Sequence, residues 1–172
     1  MTLFPHPALL TELHILHWNC RSIRSKISEF NFHLGLYSPD IVALQETRLY
    51  NDKTPNFDKY YPIRLDRTYN NGGGIALYIK DGLKYRVKIL QRKNRSKIEA
   101  QCITLKVKNN EIDIMNIYIP PNTRLNEAEL KYYIRQLSPN FIICGDFNGH
   151  HHHWKPRREI RCNTIKILFT VY

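Results

Sequence analysis

Asp146 and Asn148, separated by a single residue, are the side chains best suited to chemistry in this 172-residue chain. They follow the apolar run 141–144, which predicts a buried strand, and Gly145, which permits a tight turn. If the chain stays extended after Gly145, both side chains lie on one face. A carboxylate and a carboxamide are costly to desolvate, so each needs a metal ion, a phosphate or a hydrogen-bond network there. The alternative is an Asx-rich turn, in which they bond their own backbone.

Three further predicted strands end in, or close to, polar side chains of the same kind. Asn19 follows the strand from Leu13 to Trp18, and Glu46 follows the apolar run 41–44. Tyr118 lies near the end of the strand predicted for residues 112–119. We hypothesise that these four strand ends converge.

If they converge, these groups have the chemistry of a phosphodiesterase. Glu46 is a hard oxygen ligand suited to Mg²⁺. Asn19 and Asn148 can donate amide hydrogens to phosphate oxygens, and Tyr118 can donate to the same group. Asp146 can bind a metal ion through water or orient the attacking water. The alternatives are a solvated Glu46 at its strand end and a core Tyr118 whose hydroxyl reaches the rim.

The elements around these residues predict one α/β domain with mostly hairpin-type strands and a few helices. Apolar residues at helical spacing between Ile23 and Leu34 predict a helix, with Ser22 or Ser25 as its N-cap. A second helix is predicted to begin at the cap Asn126, with acidic residues in its first turn. The segment 51–68, which contains two prolines, is predicted to be a loop.

Glycine-containing turns separate several of the predicted strands. The segment 70–74 predicts a turn that needs positive φ angles. A phosphate-cradling loop is the alternative, but no Lys-Ser/Thr pair follows and the next residues predict a strand. Asp81-Gly82 predicts a hairpin turn. The strands assigned to this region are 75–80, 84–90, 98–108 and 112–119, the last two joined at the turn Asn109-Asn110.

The chain carries a formal net charge of +11, with 26 basic residues against 15 acidic ones. Basic residues are concentrated between Lys80 and Lys108, where they partly alternate with apolar ones. This pattern predicts a strand with one basic face, which suits nucleic acid or an anionic membrane surface. A solvated charged face is the alternative. The candidate DNA-binding residues are Lys84, Arg86, Lys88, Arg92, Lys93, Arg95 and Lys97, whose binding we expect to be salt-sensitive and largely independent of sequence.

The cysteine pattern and the lack of targeting signals indicate an intracellular protein. The four cysteines are far apart and form no Cys-x-x-Cys pair, which argues against a structural zinc site. Free thiols are typical of a reducing compartment. The N-terminal residues lack the basic start of a signal peptide, and no apolar run approaches a membrane span. We therefore expect no membrane partner.

Five short motifs occur in order along the chain: Trp18-Asn19, Leu44-Gln45-Glu46-Thr47, Gly-Gly-Gly-Ile-Ala-Leu-Tyr (72–78), Asn-Ile-Tyr-Ile-Pro-Pro (116–121) and Gly-Asp-Phe-Asn (145–148). Singly they are weak, but five in this order resemble the endonuclease/exonuclease/phosphatase superfamily, also called DNase-I-like. The resemblance covers roughly Leu13 to Trp154. It is greatest to the apurinic-type endonuclease of non-LTR retrotransposons, such as the jockey-like elements of animals.

The resemblance implies a DNase-I-like α/β sandwich of two sheets and cleavage of phosphodiester bonds with Mg²⁺, or Mn²⁺ in its place. In retrotransposons this activity nicks target DNA, so the nucleus is implied, and the freed 3′ hydroxyl primes reverse transcription. By resemblance, Glu46 holds the metal ion, and Asn19 and Asn148 contact metal or phosphate. Tyr118 would bond the phosphate, and Asp146 would handle the water or the leaving-group proton. DNA is the implied partner, with no small-molecule cofactor.

The residues after Trp154 depart from the family pattern. The family continues with further strands and a Ser-Asp-His motif that supplies the general base and its Asp partner. Here neither Asp nor Ser follows Trp154, and no His follows His153. We expect an irregular lead-in at 1–12, a partial domain at 13–154 that is incomplete at its C-terminus, and a basic tail unlike the family at 155–172.

Three functions are compatible with these residues. The first is a nicking endonuclease, and the second is a non-catalytic remnant that binds nucleic acid through its basic face. The third, a phosphatase of phosphoinositides or sphingolipids, is disfavoured by the charge of +11. Because loss of one member of a cooperating catalytic unit can abolish most of the rate, we expect weak or no nicking. The run His150–His153 could bind a transition metal or replace the base, but a structural role is favoured.

Overall fold

The computed structural model describes residues 12–50, 53–67, 72–107, 110–121, 123 and 127–148, and the backbone of residues 166–167. Within these residues the helices are α1 (Ile27–Tyr37) and α2 (Glu127–Ile134), with a 3-10 turn at Arg24–Lys26. The strands are β1 (Ile15–Asn19), β2 (Ile41–Gln45), β3 (Tyr60–Leu65), β4 (Ile75–Lys80), β5 (Tyr85–Lys88), β6 (Glu99–Val107), β7 (Asn110–Tyr118), β8 (Phe141–Asp146) and β9 (Lys166–Ile167).

The strands form two mixed sheets, as the predicted sandwich requires. The first sheet has the order β3-β4-β2-β1-β9, and the second has the order β5-β6-β7-β8. Each sheet contains one parallel pair, β1 with β2 and β7 with β8, and in each case a helix provides the crossover. A parallel pair needs such a crossover because its second strand must return to the starting edge.

These two β-α-β units explain why the polar strand ends meet. Parallel neighbours end at the same edge of a sheet, so Asn19 pairs with Gln45 at the end of β1 and β2. In the second sheet Tyr118 pairs with Asp146 at the end of β7 and β8. Ligand sites of α/β sheets lie outside such carboxyl ends.

The apolar faces of the two sheets pack against each other and exclude water. Ile41, Ala43 and Leu77 of the first sheet lie in one cluster with Ile103 and Ile114 of the second, all fully buried. Helix α1 covers the outer face of the first sheet through Phe30, whose ring contacts the aromatic rings of strand and loop residues. Burial of each large apolar side chain contributes roughly 1.5–3 kcal/mol, so these layers fix the strand ends at the rim.

Most predicted elements are confirmed, but the prediction of a loop at 51–68 is wrong for its second half. β3 occupies Tyr60–Leu65 and pairs with β4 through residues that include Pro62. The proline is tolerated because β3 is an edge strand, where one side of the backbone needs no partner. Its burial pattern is mixed, so the sequence lacks the regular alternation of a half-buried strand.

Two predicted local signals are also wrong. Asp81-Gly82 turns the chain, but β4 and β5 belong to different sheets, so the turn is a sheet-to-sheet connection and not a hairpin. Neither Ser22 nor Ser25 caps α1: the N-cap is Lys26, without a side-chain cap bond. The predicted Asn126 cap and part of the turn at Asn109 lie outside the described residues. Among the described helices, none is long and apolar enough to cross a membrane.

Candidate active site

The polar strand ends converge at one rim of the sandwich. The Asn19 side chain lies between two carboxylates and donates from Nδ2 to Glu46 Oε1 at 2.9 Å and to Asp146 Oδ2 at 2.7 Å. The Tyr118 hydroxyl donates to the same Glu46 Oε1 at 3.2 Å. The predicted convergence of the four strand ends is therefore confirmed, although Asp146 lies 127 residues from Asn19 along the chain.

Both amide hydrogens of Asn19 are used in this arrangement, since a carboxamide nitrogen has two. Asn19 thus connects the two sheets by holding Glu46 of the first and Asp146 of the second. The sequence interpretation gave these hydrogens to a phosphate oxygen. In the described geometry they orient the carboxylates instead.

The backbone at Glu46 is held in the left-handed region, with φ of 52°. Non-glycine residues adopt this conformation at a cost, and such strain persists where the surroundings over-determine it. Here the flanking hydrogen bonds do so: Ser22 N donates to Glu46 O at 2.8 Å, and Thr47 N donates to Gly74 O at 3.0 Å. The result aims the Glu46 side chain out of β2 and into the rim.

Arg48 lies beside Glu46 and also has a left-handed backbone, with φ of 53°. Its Nη2 is 3.3 Å from Glu46 Oε2, and its side chain is 48% exposed against 15% for Glu46. An exposed pair of this length contributes little to stability. Arg48 therefore covers the carboxylate from its half-exposed side without adding much to stability.

The tight turn predicted at Gly145 is wrong, because Gly145 lies within β8 and pairs with Ile117 of β7. A Cβ added there would lie 1.9 Å from Ile117 O, so no side chain fits between β8 and β7 at this point. The chain stays extended through Asp146 and leaves the strand conformation at Asn148, whose φ is 43°. Asp146 Oδ1 accepts from Asn148 N at 2.9 Å, and Asn148 Nδ2 donates to Ile119 O at 2.8 Å.

Both interpretations of the Asp-Phe-Asn motif therefore hold in part. One oxygen of Asp146 closes an Asx turn on Asn148, and the other accepts from Asn19 at the rim. The turn fixes the carboxylate, and the rim contact shows where it points. The condition for placing both side chains on one face, an extended chain, holds as far as Asp146 and fails at Asn148.

Tyr118 is buried except for its approach to the rim. Burial raises its pKa, and the negative charge and hydrogen bond of Glu46 raise it further, against an opposing effect of Arg67. The phenol thus stays protonated at neutral pH and acts as a hydrogen-bond donor. Arg67 lies over the ring, with its guanidinium carbon 5.7 Å from the ring centroid.

The pair of Arg67 and Glu99 was not predicted. Arg67 Nε donates to Glu99 Oε1, and Glu99 Oε2 accepts from Gly74 N at 2.8 Å. Burial raises the pKa of Glu99, and the Arg67 charge and these hydrogen bonds oppose that rise. Arg67 follows β3, which the sequence did not reveal, so no periodic signal connected it to the site.

Asn116 and Gln45 form a second feature that was missed. Both are fully buried between the sheets, and Gln45 Nε2 donates to Asn116 Oδ1 at 2.6 Å. Asn116 Nδ2 also donates to Leu44 O and Ala76 O, each at 3.0 Å. These bonds join β7 to β2 and β4 directly behind the rim. The signal was available as a lone carboxamide flanked by apolar residues in the predicted strand 112–119.

The candidate DNA-binding residues are spread along the second sheet and do not all lie near the rim. Arg86 of β5 pairs with Thr104 in the ladder, toward the end of β6 away from Glu99, and its side chain contacts Glu111 at 2.7 Å. Lys88 contacts the buried Asp113 at 2.6 Å. Arg92 lines a pocket with Arg67 and Glu99. The other members, Lys84, Lys93, Arg95 and Lys97, are exposed.

The rim offers a donor set that fits a small divalent cation. Glu46 and Asp146 each place a carboxylate oxygen within hydrogen-bond distance of one nitrogen, so two hard oxygen ligands lie close together. The described residues contain no group of three or more His, Cys, Asp or Glu side chains of metal-binding geometry. Mg²⁺ is typically held by one or two carboxylates together with substrate phosphates, so a pair suffices. The His150–His153 run lies outside the described residues.

A model of the Endonuclease/Exonuclease/phosphatase family matches residues 16–162. The chain therefore belongs to this family. Two curated relatives are named as probable RNA-directed DNA polymerases of Drosophila melanogaster, from transposon BS and from transposon X-element. The first is 24% identical over 149 residues, or 84% of this chain and 16% of the relative. The second is 25% identical over 149 residues, with 86% and 16% covered.

The chain thus spans a small part of the length of these curated relatives, which confirm the predicted kinship with retrotransposon proteins. Solved structures share its fold. The endonuclease domain of TRAS1, a telomere-specific non-LTR retrotransposon, has a TM-score of 0.65 at 16% identity, covering 83% of this chain and 64% of that one. An AP endonuclease from Archaeoglobus fulgidus has a TM-score of 0.59 at 22% identity, with 78% and 56% covered. The predicted DNase-I-like sandwich is confirmed.

Proposed function

We propose that this domain binds DNA and hydrolyses its phosphodiester bonds with Mg²⁺, as the endonuclease part of a non-LTR retrotransposon. The observation that carries the proposal is the Asn19 amide shared by Glu46 and Asp146, which brings carboxylates of two sheets to one rim. The retrotransposon names of the curated relatives and the TRAS1 fold support the biological setting. The nick would supply the 3′ hydroxyl that primes reverse transcription, which requires access to nuclear DNA.

Each rim residue has a separate task in this proposal. Glu46 would hold the metal ion, which would polarise the scissile phosphate and lower the pKa of bound water. Asn19 orients both carboxylates, and the protonated Tyr118 donates to a phosphate oxygen. Asp146 is fixed by Asn148 through Oδ1, and its Oδ2, which accepts from Asn19, has a second lone pair that would accept a proton from water or hold the water in line.

DNA is the favoured substrate because of charge. The net charge of +11 and the exposed residues Lys84, Lys93, Arg95 and Lys97 attract a polyanion. Among the structural neighbours, a zebrafish TDP2 structure is named as a complex with a single-stranded DNA product. Its identity of 14% makes it evidence of fold, and the DNA preference of this chain is part of the proposal.

The 172 residues on their own are expected to nick weakly. Residues 155–172 show none of the Ser-Asp-His motif that supplies the family's general base. Asp146 alone would then handle the water, and loss of a member of a cooperating unit removes most of the rate. Under this proposal, the isolated chain binds DNA but cleaves it slowly.

The test is a calorimetric titration of Mn²⁺ and Mg²⁺ into the wild-type chain and Glu46→Gln. Glutamine keeps the size and the hydrogen-bond acceptor but loses the charge. We expect at least about a 100-fold loss of metal affinity, more than the 10–100-fold typical of changes around a ligand. Glu111→Gln, which neutralises an exposed carboxylate on β7, is the matched control and should bind as the wild type does.

Supercoiled-plasmid nicking is the second readout. We expect a low rate that requires Mg²⁺ or Mn²⁺ and disappears in Asp146→Ala. Equal metal affinity in Glu46→Gln and wild type would remove the proposed metal site. Rapid nicking abolished by Asp146→Ala would keep the metal site and refute the expectation of weak turnover. DNA binding without metal binding would favour the non-catalytic remnant.

A further inference from the structure

A pocket opens at Glu99, which pairs with Tyr118 in the ladder of β6 and β7, whereas Asp146 pairs with Tyr118 from the other side, in β8. Its cavity volume is about 150 Å³, and it lies between the end of β3, the start of β6 and α2. This volume exceeds the roughly 30 Å³ occupied by one water molecule in the liquid, so the pocket admits a group larger than solvent. Its walls include Leu65, Arg67, Leu90, Arg92, Ile98 and Tyr133.

Arg67 forms the wall nearest to the rim and is held there by two contacts. Its guanidinium pairs with Glu99, which is itself anchored by Gly74 N, and it lies over the Tyr118 ring. A Cβ added to Gly73 would lie 2.2 Å from Arg67 Cζ, so the absence of a side chain there makes room for the guanidinium. A planar guanidinium in a fixed position is suited to bind phosphate oxygens.

Arg92 supplies a second guanidinium to the same pocket. It is exposed, its Nη2 donates to Ser96 O at 2.6 Å, and its charge is among the effects that oppose the rise of the Glu99 pKa caused by burial. Asp66, which also lines the pocket, is paired with Arg64. The lining thus holds two guanidinium groups and two carboxylates. Because Arg64 neutralises Asp66 from outside the lining and Arg67 pairs with Glu99, the charge of Arg92 is the surplus, and the pocket with its ion-pair partners carries one net positive charge.

We propose that this pocket is a subsite for one sugar-phosphate unit of the DNA strand, next to the phosphodiester at Tyr118. The net charge matches the single negative charge of a phosphodiester, and the apolar walls suit the sugar. The Arg67 guanidinium lies 5.7 Å from the centre of the Tyr118 ring. Because neighbouring nucleotides of one strand are about 3.4 Å apart along the duplex axis, this separation suits the adjacent nucleotide. The subsite rests on the proposed function, because it assumes that DNA is bound at the rim.

The test is fluorescence anisotropy with a short labelled DNA duplex in EDTA, so that neither metal nor cleavage contributes. The dissociation constant is measured from about 50 to 200 mM salt for wild type, Arg67→Ala, Arg92→Ala and Lys106→Ala. Each arginine variant should weaken binding and lower the salt slope by about one, as expected for one lost phosphate contact. Lys106 is exposed on β6, at the end remote from Glu99, and its variant should keep the wild-type slope.

The variants separate the two proposals. Arg67→Ala leaves Glu99 without its cation, and thermal unfolding will show whether this variant still folds. If it does not, the salt slope of Arg92→Ala, a change at an exposed residue, tests the subsite. If the wild type binds DNA and the arginine variants show the same salt slope as the wild type, the subsite proposal is overturned and the proposed function stands. A slope reduced as much by Lys106→Ala as by Arg92→Ala also overturns it. No binding by the wild type at low salt removes DNA as the substrate.

Discussion

Two carboxylates near opposite ends of the sandwich, Asp113 and Glu46, show how one chemical group is used for stability and for ligand binding. Asp113 is 0% exposed and accepts three hydrogen bonds of 2.6 Å, from Lys88 Nζ, Thr104 Oγ1 and Ser138 N. Glu46 lies at the rim, shares one oxygen between Asn19 and Tyr118, and faces the exposed Arg48.

The backbone differs as much as the partners. Asp113 lies within the regular strand β7, and no special dihedral angle is needed to place it. Glu46 and Arg48 both have positive φ, which the chain adopts at a cost of roughly 1–3 kcal/mol for each residue. Short, fixed donors on regular backbone satisfy a charge and stabilise the fold. Strained backbone and an ion pair to a half-exposed arginine keep a carboxylate available to a ligand.

The largest effect should come from breaking the buried network. Asp113→Ala removes the partner of Lys88 and leaves Ser138 N and Thr104 without their acceptor, so we expect a loss of about 3–5 kcal/mol in the free energy of unfolding. Urea denaturation measures it. Glu111→Ala, on the same strand, is the matched control: its pair with Arg86 is 54% and 61% exposed, so the loss should stay below about 1 kcal/mol. Similar losses in both variants would contradict the distinction.

The same network should make stability depend on pH in acid. Burial alone would raise the pKa of Asp113, but hydrogen bonds from Lys88, Thr104 and Ser138 outweigh it and lower the pKa to about 2. A carboxyl with a lowered folded-state pKa stabilises the fold above its unfolded pKa and loses that contribution as pH falls through the folded value. From the ordinary value of 3.8, the contribution is about 2 kcal/mol at neutral pH and disappears between about pH 4 and pH 2.

Unfolding free energies between pH 2 and pH 5, compared with those of Asp113→Asn, isolate this contribution. The asparagine variant does not titrate at this position, so the difference between the two proteins should narrow as the pH falls below 4. A difference that stays constant over this range would show that Asp113 titrates normally.

The rim was predictable from the sequence because parallel strands connected through a helix must end at the same edge. The sequence places each of the four rim residues at or next to the end of a predicted strand: Asn19, Glu46, Tyr118 and Asp146. The parallel pairing of β1 with β2 and of β7 with β8 then brings these ends to the same edge of each sheet. The periodicity of two also identified the basic face of β5. It could not show that Glu111 and Asp113 of another strand meet Arg86 and Lys88 there.

What the sequence could not show depends on tertiary placement. Arg67 and Glu99 are 32 residues apart and share no pattern, yet they meet beside Tyr118. The backbone angle of Glu46 was equally hidden, because glutamate has no preference for positive φ. Strain of this kind is set by the hydrogen bonds around a residue and not by the residue itself.

The smallest expected effect tests that strain directly at Arg48. Arg48→Gly and Arg48→Ala both remove the cation 3.3 Å from Glu46, so both should bind Mg²⁺ more tightly, and equally, by calorimetry. Alanine keeps the Cβ that disfavours φ of 53°, whereas glycine does not, so the glycine variant should be more stable by about 1 kcal/mol in urea denaturation. At Arg86, in the regular strand β5, the order should reverse, because glycine costs roughly 0.5–1 kcal/mol relative to alanine there. If the alanine variant were more stable than the glycine variant at both positions, the backbone at the rim would not be strained. The contrast between Glu46 and Asp113 would then depend on their hydrogen-bond and ion-pair partners alone.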